Sequence, residues 1–362
     1  MAVNYTAKWD YKGKIAWITG GASGAGLGQA KFFGGLGAKV TIVDIRQEAI
    51  DKALDELKAL GVDAIGFKMD ITNREEYIAA ADKAEAHWGG PPHLLINTAG
   101  VNSFGPAEAS TFEDFDWILG VNLFGPINGF VIFVPRMIKA YGADIKAGKT
   151  WAQICTVSSM GAFDGYSTDA PYSVSKAAVN NLSYSYYDAL KPYGIGVTVQ
   201  CPANINSNIG NAVDTRPAHL QNTGYYVSEG TKNMLKSIHA TGMDPVDLAT
   251  KLCYAFENGL PICIPSYSND ANALVERSAM VEQAYNKTLD WMTVEGMAKI
   301  KAAEEAQAAQ MASFRKKWEE EHPGEAPPSM FGPPPSDSGV PMEAFGVARP
   351  ELDFVRAESR KA

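Results

Sequence analysis

Tyr172 and Lys176 stand four residues apart in Ala170-Pro171-Tyr172-Ser173-Val174-Ser175-Lys176. On a helix, positions i and i+4 share one face. An ammonium beside a phenol stabilises the phenolate and draws its pKa down from about 10. That moves a tyrosine toward proton exchange near neutral pH. A Y-x-x-x-K pair alone is a common accident of helix surfaces, so its neighbours decide its weight. Ser159 closes an apolar run 172 − 159 = 13 residues upstream. A strand end beside a helix start is where an open α/β sheet places its ligands. Asn122 is a polar residue within the apolar stretch Val121-Asn122-Leu123-Phe124-Gly125. A buried amide needs partners, so a satisfied core asparagine is the plainer reading of it.

A second chemistry-bearing stretch is Thr19-Gly20-Gly21-Ala22-Ser23-Gly24-Ala25-Gly26, with an apolar run before it and a helical pattern after it. Gly20, Gly24 and Gly26 stand where a chain must turn tightly and let a pyrophosphate approach its backbone. The helix N-terminus then offers free N–H groups and a partial positive charge. Asp44 follows Gly26 by 44 − 26 = 18 residues. That is close to the spacing of about 20 expected for an acid that grips adenosine ribose hydroxyls. A carboxylate there repels a 2′-phosphate, which favours NAD over NADP. Arg46 could accommodate that phosphate, but is expected to be a solvated surface arginine.

These residues need a scaffold, and the pattern supplies one. Ile15 to Thr19, Val40 to Asp44, Asp63 to Asp70, His93 to Asn97, Ala152 to Ser159, Gly196 to Pro202 and Pro261 to Pro265 read as seven strands. Most are continuous apolar runs, as in strands buried on both faces. Amphipathic segments separate them, such as Ala49 to Leu60 with Ile50, Leu54 and Leu57 on one stripe. Such a series predicts an α/β fold, a doubly wound parallel sheet with helices on both faces.

The chain has 362 residues, 34 of them glycine, and a formal net charge of −9. That acidity argues against a nucleic-acid partner. Cys155, Cys201, Cys253 and Cys263 are too few for a disulfide framework, and none forms a C-x-x-C pair. The first residues lack the apolar core of a signal peptide, and no apolar run approaches the ~20 residues of a membrane span. A cytoplasmic location and no membrane partner are expected.

Residues 1–265 form the expected main domain. After Pro265 the pattern changes. Ser268 to about Glu321 is rich in Ala, Glu, Gln and Lys and predicts one long helix, or two broken near Gly296. His322 to Pro350 is proline-rich and should be extended. Met330, Phe331, Met342, Phe345 and Phe354 are apolar anchors, unusual in a solvated tail. Two readings of 266–362 compete, a helix packed on its own domain followed by a loose tail, and a helical, then proline-rich arm reaching a neighbouring subunit; the anchors favour the arm.

From about Tyr11 to Pro265 the chain resembles the short-chain dehydrogenases/reductases. T-G-x-x-x-G-x-G at Thr19 to Gly26, Asp70, Asn97-Thr98-Ala99-Gly100, Asn122, Ser159, Tyr172 and Lys176 fall in that family's order and spacing. Thr98 stands where a second asparagine is usual, and Ala203 where glycine is usual. The resemblance implies a Rossmann sheet, an NAD-dependent alcohol dehydrogenase, no metal, and roles for single residues. Tyr172 would be the acid/base. Lys176 would hold the nicotinamide ribose and lower the Tyr172 pKa. Ser159 would hydrogen-bond the substrate oxygen, and Asn122 would anchor a water linking Lys176 to solvent. Asp70 would meet the adenine, Asn97 the adenosine side of the cofactor, and Ser207 the carboxamide. Gly20, Ser23, Gly24, Ala25, Gly26, Asp44, Ile71, Ala99, Gly100, Pro202 and Ile205, together with Tyr172 itself, complete the implied cofactor contacts. The family also forms dimers and tetramers, which implies a homodimer or homotetramer here.

The family places its substrate lid in the segment that corresponds to 203–245. Here it carries Arg216, His219, Tyr225 and Tyr226. The two tyrosines read either as local packing or as an aromatic pocket wall, and His219 as a loop hydrogen-bonder. At finer grain, GGASGAGLGQAKFFG, LINTAGVNSFGPAE, CPANINSNI and RPAHLQNTGYY resemble the Cα-dehydrogenases of bacterial lignin-dimer breakdown. That implies oxidation of a bulky, aromatic, benzylic secondary alcohol to a ketone. A ketone reductase or a steroid-type hydroxy-dehydrogenase would use the same residues. A catalytically silent dinucleotide-binding scaffold would not need Ser159, Tyr172 and Lys176 together.

Overall fold

The apolar runs become seven strands: β1 (Ile15–Thr19), β2 (Lys39–Asp44), β3 (Ala64–Lys68), β4 (Leu94–Asn97), β5 (Ala152–Val157), β6 (Ile195–Gln200) and β7 (Ile262–Cys263). This computed structural model describes residues 6–222, 224–225, 229–265, 274–275, 277–284, 294–321 and 323. The chain divides into two units, Met1–Ala271 and Asn272–Ala362. In the first unit every strand pair is parallel and the order is β3-β2-β1-β4-β5-β6-β7. The chain runs outward from β1 to β3, then crosses back to β4 on the other side of β1. That reversal creates a crevice outside the C-terminal ends of β1 and β4, where Thr19 pairs with Asn97.

Helices α1 (Gly24–Gly35), α2 (Gln47–Ala59), α3 (Arg74–Trp88), α4 (Phe112–Leu119), α5 (Gly125–Lys146), α6 (Ala170–Leu190), α7 (Glu229–Ala240) and α8 (Pro245–Glu257) connect the strands or follow them. Successive strand residues point to opposite faces, and both faces are covered. Ala16 and Ile18 pack with Phe33 of α1, Leu57 of α2 and Phe256 of α8. Trp17, between them, packs with Tyr77 of α3 and with Phe130 and Phe133 of α5. This explains why the strands read as continuous apolar runs. The edge strand β3 is only partly buried.

Local signals set the helix starts. Asn73 accepts from the Glu75 and Glu76 amides at 3.1 and 3.2 Å, and Asp244 accepts from the Val246 amide at 2.8 Å. Helix α8 packs on α1. A Cβ placed on Gly28 would lie 2.5 Å from the Pro245 carbonyl carbon. Backbone cannot rotate away, so Gly28→Ala must push the two helices apart. We expect it to destabilise the unit by about 1–3 kcal/mol, read as a lower denaturation midpoint in urea. A midpoint equal to wild type would mean that the crossing yields freely.

One expectation needs correction, and one alternative is decided. The stretch Phe112–Lys146 is long and apolar enough by length and composition to cross a membrane, contrary to the sequence reading. Its most apolar window is 56% buried inside the protein, because α5 lies against the sheet and hides Phe130, Phe133 and Met137. In the second unit, Val294–Glu321 is one helix, α9, and it continues through Gly296. A single glycine near the first turn costs only about 1 kcal/mol, which a helix of this length absorbs. Phe314 of α9 is 45% exposed and sits 6.3 Å from the Trp318 ring. The anchors Met330, Phe331, Met342, Phe345 and Phe354 lie outside the described residues, as does Tyr226.

Candidate active site

The glycine stretch turns from β1 into α1 with Gly20 at φ 64° and Gly24 at φ 49°. Both lie in the left-handed region that only glycine enters at little cost. Neighbouring residues close in where side chains are absent. A Cβ on Gly20 would lie 2.8 Å from the Ala99 Cα, and one on Gly24 2.9 Å from the Ser207 Cβ. A Cβ on Gly26 would overlap the Gly20 carbonyl. The result is a backbone cradle at a helix N-terminus, suited to a diphosphate.

A cavity of about 1180 Å³ opens along this cradle and continues past the ends of β4, β5 and β6. Its volume exceeds the ~300–1,000 Å³ of an ordinary small-molecule pocket, leaving room for a dinucleotide and a second ligand. Gly20, Ser23, Gly24, Ala25, Gly26, Asp44, Asp70, Ile71, Ala99, Gly100, Pro202, Ile205 and Ser207 all line it.

Asp44 is buried beside the cradle. Arg46 is not a free surface group. Its Nε donates to the Asp44 carboxylate at 3.1 Å, and its terminal nitrogen donates to Ser23 Oγ at 3.1 Å. The arginine therefore closes a bridge from β2 to the glycine loop. Sequence position alone could not show this, because Ser23 lies in a separate turn.

At the other end, Ser159, Tyr172 and Lys176 line the same cavity. β5 stops at Val157, so Ser159 stands beyond the strand and caps a 3₁₀ turn, accepting from the Gly161 amide at 3.0 Å. A Cβ on Gly161 would lie 3.5 Å from Ser159 Oγ and 3.6 Å from the Tyr172 ring. The Ser159 hydroxyl lies close enough to the Tyr172 phenol to lower its pKa. Lys176, one helical turn on, is buried, and its Nζ donates to the Val157 carbonyl at 2.9 Å. Nζ sits 5.4 Å from the centre of the Tyr172 ring.

The phenol's acidity differs from the sequence expectation. Burial pushes Tyr172 up to about 12, and the hydrogen bond from Ser159 only partly offsets it. Burial also lowers Lys176 to about 8. The lysine's charge is spent on a carbonyl rather than aimed at the phenol oxygen, and the dry surroundings dominate both groups.

Asn122 lies in a π-helical turn, Gly120–Phe124, between α4 and α5. Its side chain accepts from the Val101 amide at 2.8 Å and donates to the Val101 carbonyl at 2.9 Å and to Ser175 Oγ at 3.1 Å. It does not line the cavity, but it comes near Lys176 across Gly100. A Cβ on Gly100 would lie 3.4 Å from Asn122 Oδ1 and 3.5 Å from Lys176 Nζ. Asn97 departs from expectation more clearly. Its side chain is buried under the cavity floor, faces Gly129 and Tyr77 near α5, and lines no part of the cavity. Strand alternation turns it away from the ligand side.

The far end of the cavity is walled by residues that the sequence reading passed over, among them Phe104, Trp117, Tyr166 and Asp169. They sit in loops and on α4, where periodicity carries no signal for a ligand. His219 lines this end, whereas Tyr225 does not. Tyr225 is held at 2.5 Å by Ser110 and packs on Gly105, so it is local packing.

Comparison with known proteins places this geometry. Residues 14–218 match the family model described as short chain dehydrogenase. The chain is 50% identical over 256 residues to a C alpha-dehydrogenase of Sphingobium sp. (strain NBRC 103272 / SYK-6), covering 71% of this chain and 81% of that protein. Among solved structures, the apo form of LigD from Sphingobium sp. strain SYK-6 aligns with TM-score 0.59 and 41% identity, covering 78% of this chain and 99% of that one. A short chain dehydrogenase/reductase from Burkholderia phymatum, in complex with NAD, aligns with TM-score 0.68 and 27% identity, covering 76% and 96%. With its parallel seven-stranded sheet, glycine cradle and Ser159, Tyr172 and Lys176 on one cavity, the chain belongs to the short chain dehydrogenase family of oxidoreductases.

Proposed function

We propose that the chain oxidises a bulky, aromatic, benzylic secondary alcohol to its ketone with NAD. The observation that carries this reading is one continuous cavity with the glycine cradle at one end and Ser159, Tyr172 and Lys176 at the other. The cradle has the bare backbone a dinucleotide needs, and Phe104, Trp117 and Tyr166 give the far end an aromatic lining. NAD, when bound, supplies the hydride acceptor. Gly20, Ser23, Gly24, Ala25 and Gly26 hold the diphosphate, Asp44 the adenosine ribose, and Asp70 and Ile71 the adenine side. Pro202, Ile205 and Ser207 hold the nicotinamide side.

Ser159 orients the substrate hydroxyl, and Tyr172 takes its proton as the alcohol carbon gives up hydride. Lys176 holds the ribose, and Asn122 keeps the backbone beside it in place. The direct test mixes protein and NAD with a panel of aryl alcohols and follows NADH absorbance. Absence of turnover on every benzylic secondary alcohol, with a simple ketone reduced instead, would favour the reductase reading.

The rate should depend on pH in a defined way. A phenol raised to about 12 is almost wholly protonated at pH 7, and its phenolate fraction grows about tenfold per pH unit. Alcohol oxidation should therefore keep rising from pH 6 to 9. A flat profile from pH 6 to 9 would count against Tyr172 as the base.

NAD should be preferred over NADP, because the buried Asp44 carboxylate would meet a 2′-phosphate with like charge. Arg46 softens that repulsion, being paired to Asp44 at 3.1 Å. Arg46→Ala should widen the preference, read as the ratio of kcat/KM for the two cofactors. An unchanged ratio would remove Arg46 from cofactor choice. We also propose that residues 266–362 form an arm on a neighbouring subunit of a homodimer or homotetramer. Light scattering on a chain truncated after Glu321 tests it, and an unchanged mass and melting point would sink it.

A further inference from the structure

Arg216 and Asp114 form an ion pair with almost no solvent exposure, although they lie 102 residues apart in the chain. The guanidinium meets the carboxylate at 2.6 Å, and the two side chains are 3% and 0% exposed. Arg216 ends the 3₁₀ turn Ile209–Thr215, and Asp114 lies in the first turn of α4. Each partner is also tied to its own segment. Asp114 accepts from the Thr111 amide at 2.9 Å and closes the capping box that starts α4. Arg216 Nε donates to the Leu220 carbonyl, and Gln221 donates to the Arg216 carbonyl at 2.9 Å. The guanidinium also lies 5.1 Å from the centre of the Trp117 ring. A charge pair taken this far out of water is a weak source of stability, so its placement asks for another reason.

Neither charged group lines the cavity, yet the segments they join supply one wall of it. Trp117 and Val121 come from α4 and the turn after it, and Ala212, Thr215 and Leu220 from the facing segment. Trp117, Ala212, Val121 and Leu220 pack in one cluster that also includes the Tyr172 ring.

Resting on the proposed alcohol oxidation, we propose that Arg216 and Asp114 are positioning residues, a latch that fixes 209–222 against α4. The latch sets the width of the substrate end, so it selects for an aromatic ring wide enough to fill the space beside Trp117. It acts through Trp117 and Leu220 and touches neither substrate nor cofactor.

The test compares wild type with Arg216→Lys and with the double variant Asp114→Asn, Arg216→Met. The double variant leaves no unpaired charge in the interior, so it keeps the fold where a single loss would strand a charge. Two substrates are used, a β-aryl ether benzylic alcohol and propan-2-ol. The latch predicts that KM for the aryl alcohol rises at least about tenfold in the double variant. It also predicts that kcat on propan-2-ol and KM for NAD stay within about threefold, and that Arg216→Lys falls between. A double variant that keeps the wild-type ratio of kcat/KM for the two alcohols would overturn the latch. Equal losses on both alcohols would also overturn it, because they mark a general structural role.

Hydrogen exchange separates this idea from the activity itself. Amides in 209–222 should exchange at least about tenfold faster in the double variant, with β1 to β6 unchanged. If wild type oxidises neither alcohol, the proposed activity fails and exchange alone judges the latch. Unchanged exchange across 209–222 would then refute it.

Discussion

Tyr172→Phe should reduce alcohol oxidation by about 10²- to 10⁴-fold while leaving NAD affinity nearly unchanged. The ring of Tyr172 packs against the buried cluster of Trp117, Ile118 and Ala212, and phenylalanine keeps that packing. What disappears is the oxygen that Ser159 engages. Losing one hydrogen bond of this kind costs about 0.5–1.5 kcal/mol, too little to unfold a unit of this size. The proton of the substrate hydroxyl then has no acceptor. Lys176 cannot replace it, because its Nζ points to the Val157 carbonyl at 2.9 Å. Steady-state NADH production gives the rate, and quenching of intrinsic fluorescence on NAD addition gives the affinity. Turnover within a few-fold of wild type would remove Tyr172 from the chemistry. A parallel loss of NAD affinity would instead make it part of the cofactor site.

Gly26→Ala should have the second-largest effect, and on binding rather than on chemistry. The added Cβ would overlap the Gly20 carbonyl oxygen and lie 2.7 Å from its carbon and 3.0 Å from the Gly21 Cα. All three are backbone atoms, so no side chain can rotate to make room. The turn between β1 and α1 must open, and its amides leave the positions that a diphosphate needs. Overpacking of this kind costs about 1–3 kcal/mol, which corresponds to roughly 5- to 150-fold in the NAD dissociation constant. Gly35→Ala, in the same helix, is the control. Nothing lies within 4 Å of a Cβ there, so affinity should hold, and the helix should gain about 0.5–1 kcal/mol. Equal affinities in Gly26→Ala and wild type would show that the cradle is not the diphosphate site.

Seven parallel strands, the turn at Gly20 to Gly26 and the shared face of Tyr172 and Lys176 were legible in the sequence. Each rests on local physics: continuous apolar runs, glycine where φ is positive, and the 3.6-residue helical period. The strand ends were less legible. AQICTVSS reads as one run, but β5 stops at Val157. That leaves Ser159 free to cap the next turn and meet Tyr172.

What the tertiary structure decided concerns groups whose partners are distant in the chain. Asn97 was placed with the cofactor by its motif, but it faces Gly129 and Tyr77 beneath the cavity. Arg46 was read as solvated, but it bridges Asp44 and Ser23. The lysine was expected to lower the phenol's pKa, but burial of the ring raises it. Arg216 looked like one polar residue of a loop until Asp114, 102 residues earlier, closed on it. Burial and charge pairing depend on which segments the sheet brings together. No spacing along the chain encodes that.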